Sequence, residues 1–173
     1  ADLYEAMYTL ENRGKGIMNF VNAYRDFTTL PEPVYKETSV DELFKHKEAL
    51  KLSPKLSIEI KQKFELLADE DQFEMVLLYL TKNADEAIAN KPDGCINLTA
   101  QKQGNKKVIS INDNGQGIVA EALEKIFIPF YTTKKDGSGI GLSLSKQIIN
   151  IHGGDIIVHS TTEQGTEFLL VFE

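Results

Sequence analysis

The sequence predicts an α+β protein: a two-layer sandwich in which helices cover one face of a mixed, mostly antiparallel sheet, preceded by a long N-terminal helix. Three observations support this. Residues 2–29 have helical periodicity, several short strands follow one another through tight turns after residue 55, and two further helical segments separate these strands. Strands and helices that occur in blocks favour such a sandwich over an alternating parallel fold.

Apolar residues in the first segment recur every seven positions and predict an amphipathic helix that ends before Pro31 and Pro33. They are Leu3, Leu10, Ile17 and Tyr24, flanked by Met7, Val21 and Phe27. Such a seam either packs on the chain's own core or meets a partner helix, and the sequence leaves both open. Because Ala1 already lies within this helical pattern, we expect the chain to be a piece of a longer protein.

The next elements follow from alternation and capping signals. Leu56 to Ile60 and Phe64 to Ala68 predict two short strands. Asp69, with Gln72 three residues later, resembles a capping box. It opens a helix whose apolar residues follow helical spacing, and we expect this helix to stop near Pro92, Asp93 and Gly94.

The second half of the chain predicts two pairs of strands around a loop and a helix. Residues 96–100 and 108–111 flank Gly104 and Asn105, a typical hairpin turn. Residues 114–138 have little periodicity, and a stretch this long indicates a functional loop or lid. A helix from about residue 141 to 152 and two strands, 155–160 and 166–172, complete the fold.

Composition excludes several function classes. The 173 residues carry a formal net charge of −7, which disfavours a dedicated nucleic-acid-binding protein. Cys95 is the single cysteine, so neither an internal disulfide nor a multi-cysteine zinc site is possible. The lone cysteine is compatible with a reducing cytoplasm, where we expect this chain to lie, either free or as the cytoplasmic part of a membrane-anchored protein. The apolar runs span only a few residues, so we expect no membrane contact by this chain itself.

Three constellations could carry chemistry. Asp113 ends a strand on which Ile109 and Ile111 share its face, so its carboxylate should point inward and need a donor, although an ordinary Asp-Asn-Gly turn would look the same. Residues 137–142 place glycines at a helix start, where backbone amides suit an anion, although a flexible linker is the alternative. Asn83 lies at the edge of a helical apolar stripe as a candidate Mg²⁺ ligand or a solvated polar residue.

Together, these segments resemble the superfamily that joins DNA gyrase, a heat-shock chaperone, mismatch-repair ATPases and histidine kinases. The order is a helix Asn, then Asp113-Asn114-Gly115-Gln116-Gly117, then an aromatic lid and a glycine-rich helix start. Residues 124–134 resemble the F box of histidine kinases and residues 137–142 their second glycine box. The motif sequences are most similar to those of kinases of the nitrogen-regulation type. The resemblance covers roughly residues 65–173. Residues 1–31 resemble, more loosely, part of the second helix of a dimerisation and phosphotransfer hairpin, followed by a catalytic domain over residues 36–173.

The resemblance implies the Bergerat ATP-binding fold, ATP and Mg²⁺ as ligands, and transfer of the γ-phosphate to a histidine and then to an aspartate of a response regulator. It also implies a homodimer through the first helix. Asp113 would accept a hydrogen bond from the adenine amino group, and Thr166 would support the adenine. Asn83 would bind Mg²⁺. The implied catalytic residues are Asn83, Thr133 and Lys134. The implied nucleotide-binding residues are Asn83, Glu86, Ala87, Asp113, Gly115, Gly117, Ile118, Phe130, Thr132, Thr133, Lys134, Gly137, Ser138, Gly139, Ile140, Gly141, Leu142 and Thr166.

The chain departs from the family pattern in two ways. Tyr79 stands where the kinases usually have a second Asn and the hydrolysing relatives a water-activating Glu; a phenol is a poor base at neutral pH, which disfavours ATP hydrolysis. We expect His46 in a surface loop, His152 at a helix end and His159 on a strand. None has the setting of a phosphate acceptor. A degenerate nucleotide-binding scaffold that regulates partners without phosphotransfer is the alternative function.

Overall fold

The computed structural model describes residues 2–45, 53–134 and 137–173. Within these ranges, strands that neighbour one another in sequence are grouped between helices. In chain order these elements are α1 (Asp2–Thr28), β1 (Lys36–Ser39), α2 (Val40–Lys45), β2 (Leu56–Ile60), β3 (Glu65–Ala68), α3 (Glu70–Ala87), β4 (Ile96–Gln103), β5 (Lys106–Asp113), α4 (Ala120–Leu123), α5 (Gly141–Ile151), β6 (Gly154–Thr161) and β7 (Gly165–Phe172). None of the helices in these ranges is both long and apolar enough to cross a membrane.

The strands form a five-stranded sheet in the order β2-β4-β5-β7-β6 and a separate β1-β3 ribbon. Only β2 and β4 pair in parallel; the other described neighbours are antiparallel, which confirms the predicted mixed sheet. The register places Asp113 between Ile96 on β4 and Thr166 on β7. The end of β5 therefore lies in the middle of the sheet.

The hydrophobic core lies between one face of this sheet and the helices α3 and α5, as the predicted two-layer sandwich requires. Burial of these apolar side chains is the main favourable contribution to folding. The innermost residues include Phe73, Leu77 and Leu80 of α3, Leu144 and Ile148 of α5, and Leu98, Ile109, Ile111 and Leu170 of the sheet. The opposite face carries a polar row in register across the strands: Ser57, Asn97, Asn112, Glu167 and His159.

The segment between α1 and β1 is fastened to the start of α3. Asp69 caps this helix by accepting the backbone amides of Gln72 at 3.0 Å and Val34 at 2.7 Å. Its own amide donates to Nε2 of His152 at 3.0 Å, while Nδ1 of His152 lies 2.7 Å from the carbonyl oxygen of Ile148. The neutral Nδ1–H tautomer of His152 satisfies both contacts.

Replacing Asp69 with Ala should lower the free energy of unfolding by about 1–2 kcal/mol, because it removes a helix cap and the acceptor of the Val34 amide. Burial raises the pKa of this carboxyl, but the amides of Gln72, Val34 and Asp71 lower it overall. The stability that Asp69 contributes is therefore present above the ordinary value of 3.8 and is lost as the pH falls through the lowered one. Urea denaturation should show the largest difference from the unmutated chain at neutral pH; a constant difference down to pH 2 would contradict this.

The apolar seam of α1 is exposed. Leu3, Leu10 and Ile17 are 76%, 71% and 64% exposed, so the described seam residues do not pack on the chain's own core. The one ring contact described for it joins Tyr24 to Phe130, with centroids 6.4 Å apart. The seam therefore faces solvent over these residues, which agrees with a partner-helix role rather than with packing on the chain's own core.

Most predicted elements are confirmed, including the capped start of α3 and the two-residue turn between β4 and β5. The end of α5 at Ile151, followed by Gly153 at a φ of 75°, also agrees with the prediction. The predicted end of α3 near Pro92 is wrong, because the helix ends at Ala87 and turns follow. The sequence pattern does not predict β1 and α2. His152 and His159 lie at the end of α5 and on β6 as expected, whereas His46 lies outside the described residues.

Candidate functional site

One face of α3 organises the candidate site. Tyr79, Asn83 and Ala87 are spaced by four residues, so they lie one above the other on successive turns, over about 12 Å at the helical rise of ~1.5 Å per residue. Each faces a different segment: Tyr79 approaches the start of α5, Asn83 contacts the loop before it, and Ala87 contacts the turn after β5. The helix thereby brings together segments that are far apart in the sequence.

Asp113 lies at the end of this face that is nearest Ala87. Its side chain is only 4% exposed, which confirms the predicted inward orientation. Oδ1 accepts the backbone amide of Gly115 at 2.8 Å, and the Thr166 amide also donates to the carboxylate. An ionised carboxylate offers about four acceptor positions, so two amides leave capacity for a further donor.

The protonation of Asp113 is set by opposing effects. Burial raises the pKa of this carboxyl above the ordinary value of 3.8, while the amides of Gly115 and Thr166 and the positive charge of Lys91 oppose the rise. Asp113 therefore takes up a proton, and becomes a donor, at a less acidic pH than an exposed aspartate would.

Lys91 is a residue that the sequence analysis missed. Its Nζ donates to the carbonyl oxygen of Asn114 at 2.5 Å, next to Asp113. No motif marks it, since it lies in the turn after α3 and its target is 23 residues away. The only signal in the sequence was an inward carboxylate that needs a donor, and this does not identify Lys91.

The glycines after Asp113 are required by the fold itself. A Cβ on Gly115 would lie 2.7 Å from the backbone of Ala87, and one on Gly117, at a φ of 71°, would lie 2.1 Å from the carbonyl oxygen of Thr161. A side chain at either position would collide with neighbouring backbone. Close approach of a ligand is thus not needed to explain Gly117.

The loop before α5 reaches Asn83 through Lys134. Nζ of this lysine donates to Oδ1 of Asn83 at 2.7 Å and to a carboxylate oxygen of Glu86, three residues further along α3. The side chains of Lys134 and Glu86 are 43% and 42% exposed, so solvent screens the pair. Oγ1 of Thr132 accepts the amide of Lys134 at 3.0 Å, and Thr133 is exposed beside it.

A backbone hydrogen bond between Phe130 and Gly139 joins the two ends of this loop. The Phe130 amide donates to the Gly139 carbonyl at 2.9 Å, and Phe130 has a φ of 68°, a strained value for a residue with a side chain. A Cβ on Gly139 would lie 2.4 Å from Phe130 backbone. This hydrogen bond and the close backbone contact keep Phe130 next to Gly139, two residues before α5 begins.

The start of α5 has the properties of an anion site. Ile140 at the cap position offers no side-chain acceptor, and the first turn contains no acidic residue. The helix dipole and the first amides therefore favour a negative group there. The ring of Tyr79 packs so closely that a Cβ on Gly141 would lie 2.9 Å from its Cδ1.

The structure brings together many of the predicted residues, but not all. Asp113, Gly115 and Thr166 form one cluster, and Asn83, Glu86 and Lys134 form another. Ile118 instead donates its amide to Oγ of Ser160 at 2.9 Å, on the side of β6. Gly137 and Ser138 are exposed, and Leu142 is half-buried on α5.

Comparisons with known proteins agree with this geometry. The histidine kinase-, DNA gyrase B-, and HSP90-like ATPase family matches residues 68–173. The chain is 43% identical over 106 residues to the sensor histidine kinase ZraS of Escherichia coli O157:H7, a match that covers 61% of this chain and 23% of that protein. It is 41% identical over 113 residues to the sensory histidine kinase/phosphatase NtrB of Rhizobium leguminosarum bv. phaseoli, over 57% of this chain and 30% of that protein.

The same relationship holds in three dimensions. The nucleotide-free catalytic domain of the histidine kinase ThkA superposes with a TM-score of 0.64 and 30% identity, covering 80% of this chain and 95% of that one. The chain thus spans less than a third of the two curated relatives but nearly all of a solved catalytic domain. It belongs to the histidine kinase-, DNA gyrase B-, and HSP90-like ATPase family and contains the ATP-binding catalytic domain of sensor histidine kinases.

Proposed function

We propose that the chain binds Mg·ATP along the α3 face between Asp113 and the start of α5. In the intact protein it would then support transfer of the γ-phosphoryl group to a histidine and from there to an aspartate of a response regulator. The observation that carries this proposal is the buried carboxylate of Asp113, which retains acceptor capacity at one end of a continuous face whose other end is a helix start without a capping side chain.

Asp113 would recognise adenine. Its carboxylate can accept a hydrogen bond from the exocyclic amino group, whereas a carbonyl at that position would face it as a second acceptor. Thr166 would support this contact, since its amide already donates to Asp113 and its hydroxyl lies 2.8 Å from Oγ of Ser160.

Asn83 would bind the metal. Its amide oxygen already contacts a cation, the ammonium group of Lys134, so the position suits a positive charge. Mg²⁺ usually takes few protein ligands and, when bound, neutralises charge on the phosphates. The ammonium group of Lys134 would then leave Asn83 and donate to a phosphate oxygen instead. Thr132 and Thr133 lie on the same loop and would be close to the phosphates. Glu86 would remain beside the metal.

The triphosphate would lie at the glycine-rich start of α5. Three of the six residues from Gly137 to Leu142 are glycines, so few side chains of the segment itself would stand between its amides and a phosphate. Phosphoryl transfer depends mainly on positioning and charge neutralisation. Tyr79 limits the space at this point. Its position against Gly141 is the observation that favours the second candidate, a nucleotide-binding regulatory scaffold without phosphotransfer.

Residues 1–31 would form part of the second helix of a dimerisation and phosphotransfer hairpin, and residues 36–173 the catalytic domain. The exposed seam of α1 supports self-association through this helix. Light scattering should show the mass of a dimer for the chain and the mass of a monomer for a form that lacks residues 1–30. A monomeric mass for both forms would contradict this assignment. The response regulator would be the protein partner, with this part of the protein in the cytoplasm.

Two experiments test the function. Isothermal titration should detect binding of a non-hydrolysable ATP analogue that strengthens with Mg²⁺. The chain joined to a helix that carries an acceptor histidine should form phosphohistidine from ATP. Binding without phosphohistidine would favour the scaffold, and no binding would exclude both. Phosphate release that Tyr79→Phe abolishes would instead indicate a hydrolytic ATPase.

A further inference from the structure

A network of hydrogen bonds joins the turn after α3 to the turn after β5. Oδ1 of Asn114 accepts the amide of Cys95 at 2.8 Å, and Nδ2 of Asn114 donates to the carbonyl oxygen of Asp93 at 2.9 Å. The Asn114 amide in turn donates to the Cys95 carbonyl at 3.3 Å. Every polar group of Asn114 except its carbonyl oxygen is thus held by residues 93–95.

Lys91 completes this network. Its Nζ donates to the Asn114 carbonyl oxygen at 2.5 Å, while its own carbonyl oxygen accepts Nζ of Lys55 at 3.0 Å and the Gly94 amide at 3.0 Å. Lys91 is half-buried, and a charge-assisted hydrogen bond in such a setting is stronger than a neutral one. Its ammonium group is therefore fixed at the Asn114–Gly115 peptide, one residue beyond Asp113.

Lys91 supplies the positive charge that acts on Asp113. The cross-strand neighbours of Asp113 are Ile96 and Thr166, and the α3 residue packed on this turn is Ala87; none of them is charged. Within the described parts of the chain, the charge that opposes the effect of burial on the pKa of Asp113 comes from Lys91. Removing this charge would leave the effect of burial opposed only by the amides of Gly115 and Thr166.

We propose that Lys91 is a positioning residue for adenine recognition: it locks the Asp113–Asn114 turn through the Asn114 carbonyl and presents its ammonium charge to the buried Asp113 carboxylate. The inference rests on the nucleotide-binding function proposed above. Loss of the charge would make Asp113 take up a proton at higher pH, and a protonated carboxyl offers a donor where the exocyclic amino group of adenine needs an acceptor. Lys91 would thereby set the lowest pH at which the site still binds an adenine nucleotide.

Lys91→Met keeps the aliphatic stem and removes the charge, and Lys91→Arg keeps the charge. The matched control is Lys106→Met, since Lys106 lies at the hairpin end of β5, the opposite end from Asp113. For each protein, the affinity of a non-hydrolysable ATP analogue is measured from pH 5 to pH 8, and the Asp113 carboxyl is titrated by carbon-13 NMR without nucleotide. Melting curves report folding, and Lys91→Gln repeats the test as a second neutral variant.

We expect the acid limb of the binding profile and the titration of Asp113 to move together to higher pH in Lys91→Met and Lys91→Gln. This shift should weaken affinity about three- to tenfold on the acid limb and leave it little changed at pH 8. Lys91→Arg and Lys106→Met should retain the original profile. An unshifted Asp113 titration, or an equal loss of affinity at every pH, would overturn the inference. If the unmutated chain bound no nucleotide, the proposed function would fail, and the NMR titration would still decide whether Lys91 controls Asp113.

Discussion

Asp113→Asn should weaken binding of ATP by about 100-fold or more and leave the fold intact. The Asn side chain can still accept the Gly115 amide through Oδ1, but its amide group presents a donor where adenine also presents one. Because the mismatch lies in a site that is only 4% exposed, water cannot relieve it. Isothermal titration at pH 7 with Mg²⁺ measures the loss.

The same substitution should not destabilise the protein without nucleotide. Burial raises the pKa of Asp113, so the ionised carboxylate costs stability, and this cost appears as the pH rises from 3.8 through the raised value. The neutral Asn avoids it, and we expect its melting temperature at pH 7 to equal or exceed that of the unmutated chain. Asp93→Asn makes the same chemical change at an exposed neighbouring position and should alter neither property. Unchanged affinity in Asp113→Asn would refute the role of Asp113.

Asn83→Ala should remove the Mg²⁺ dependence of nucleotide binding and reduce phosphohistidine formation by about 100-fold or more in the chain joined to its acceptor helix. The variant lacks the amide oxygen that would fix the metal against α3, and charge neutralisation at the phosphates contributes several kcal/mol to such reactions. Titrations with and without Mg²⁺, and a phosphohistidine assay, measure both effects.

Two further variants separate the metal from the loop. Lys134→Met frees Asn83 from its ammonium partner, so we expect Mg²⁺ dependence to persist while affinity for the triphosphate falls. Asn90→Ala is the matched control, because Asn90 is exposed beyond the end of α3. Full Mg²⁺ dependence in Asn83→Ala would show that the metal is held elsewhere.

Local periodicity predicts the parts of the site that depend on a single element. The inward orientation of Asp113 follows from alternation with Ile109 and Ile111, and the position of Asn83 follows from helical spacing on α3. Both predictions needed only the geometry of one strand or one helix. The capping role of Asp69 was predictable for the same reason.

Contacts between distant segments were not predictable. Lys134 reaches Asn83 across 51 residues, and Lys91 reaches Asn114 from a turn without a motif. β1 was missed because only Thr38 of its four residues is buried, so pairing with β3 rather than an apolar pattern stabilises it. Tertiary packing decides such features, and a single sequence does not display it.

The most direct test compares two nucleotides on the unmutated chain. Titrations at pH 7 with Mg²⁺ would use a non-hydrolysable ATP analogue and the same compound with a 6-oxo group in place of the 6-amino group of the base. If the Asp113 carboxylate accepts the amino group, the 6-oxo compound should bind about 100-fold more weakly, because two acceptors would then face each other in a buried site. Equal affinity for the two compounds would contradict adenine recognition by Asp113 and, with it, the proposed orientation of ATP along α3.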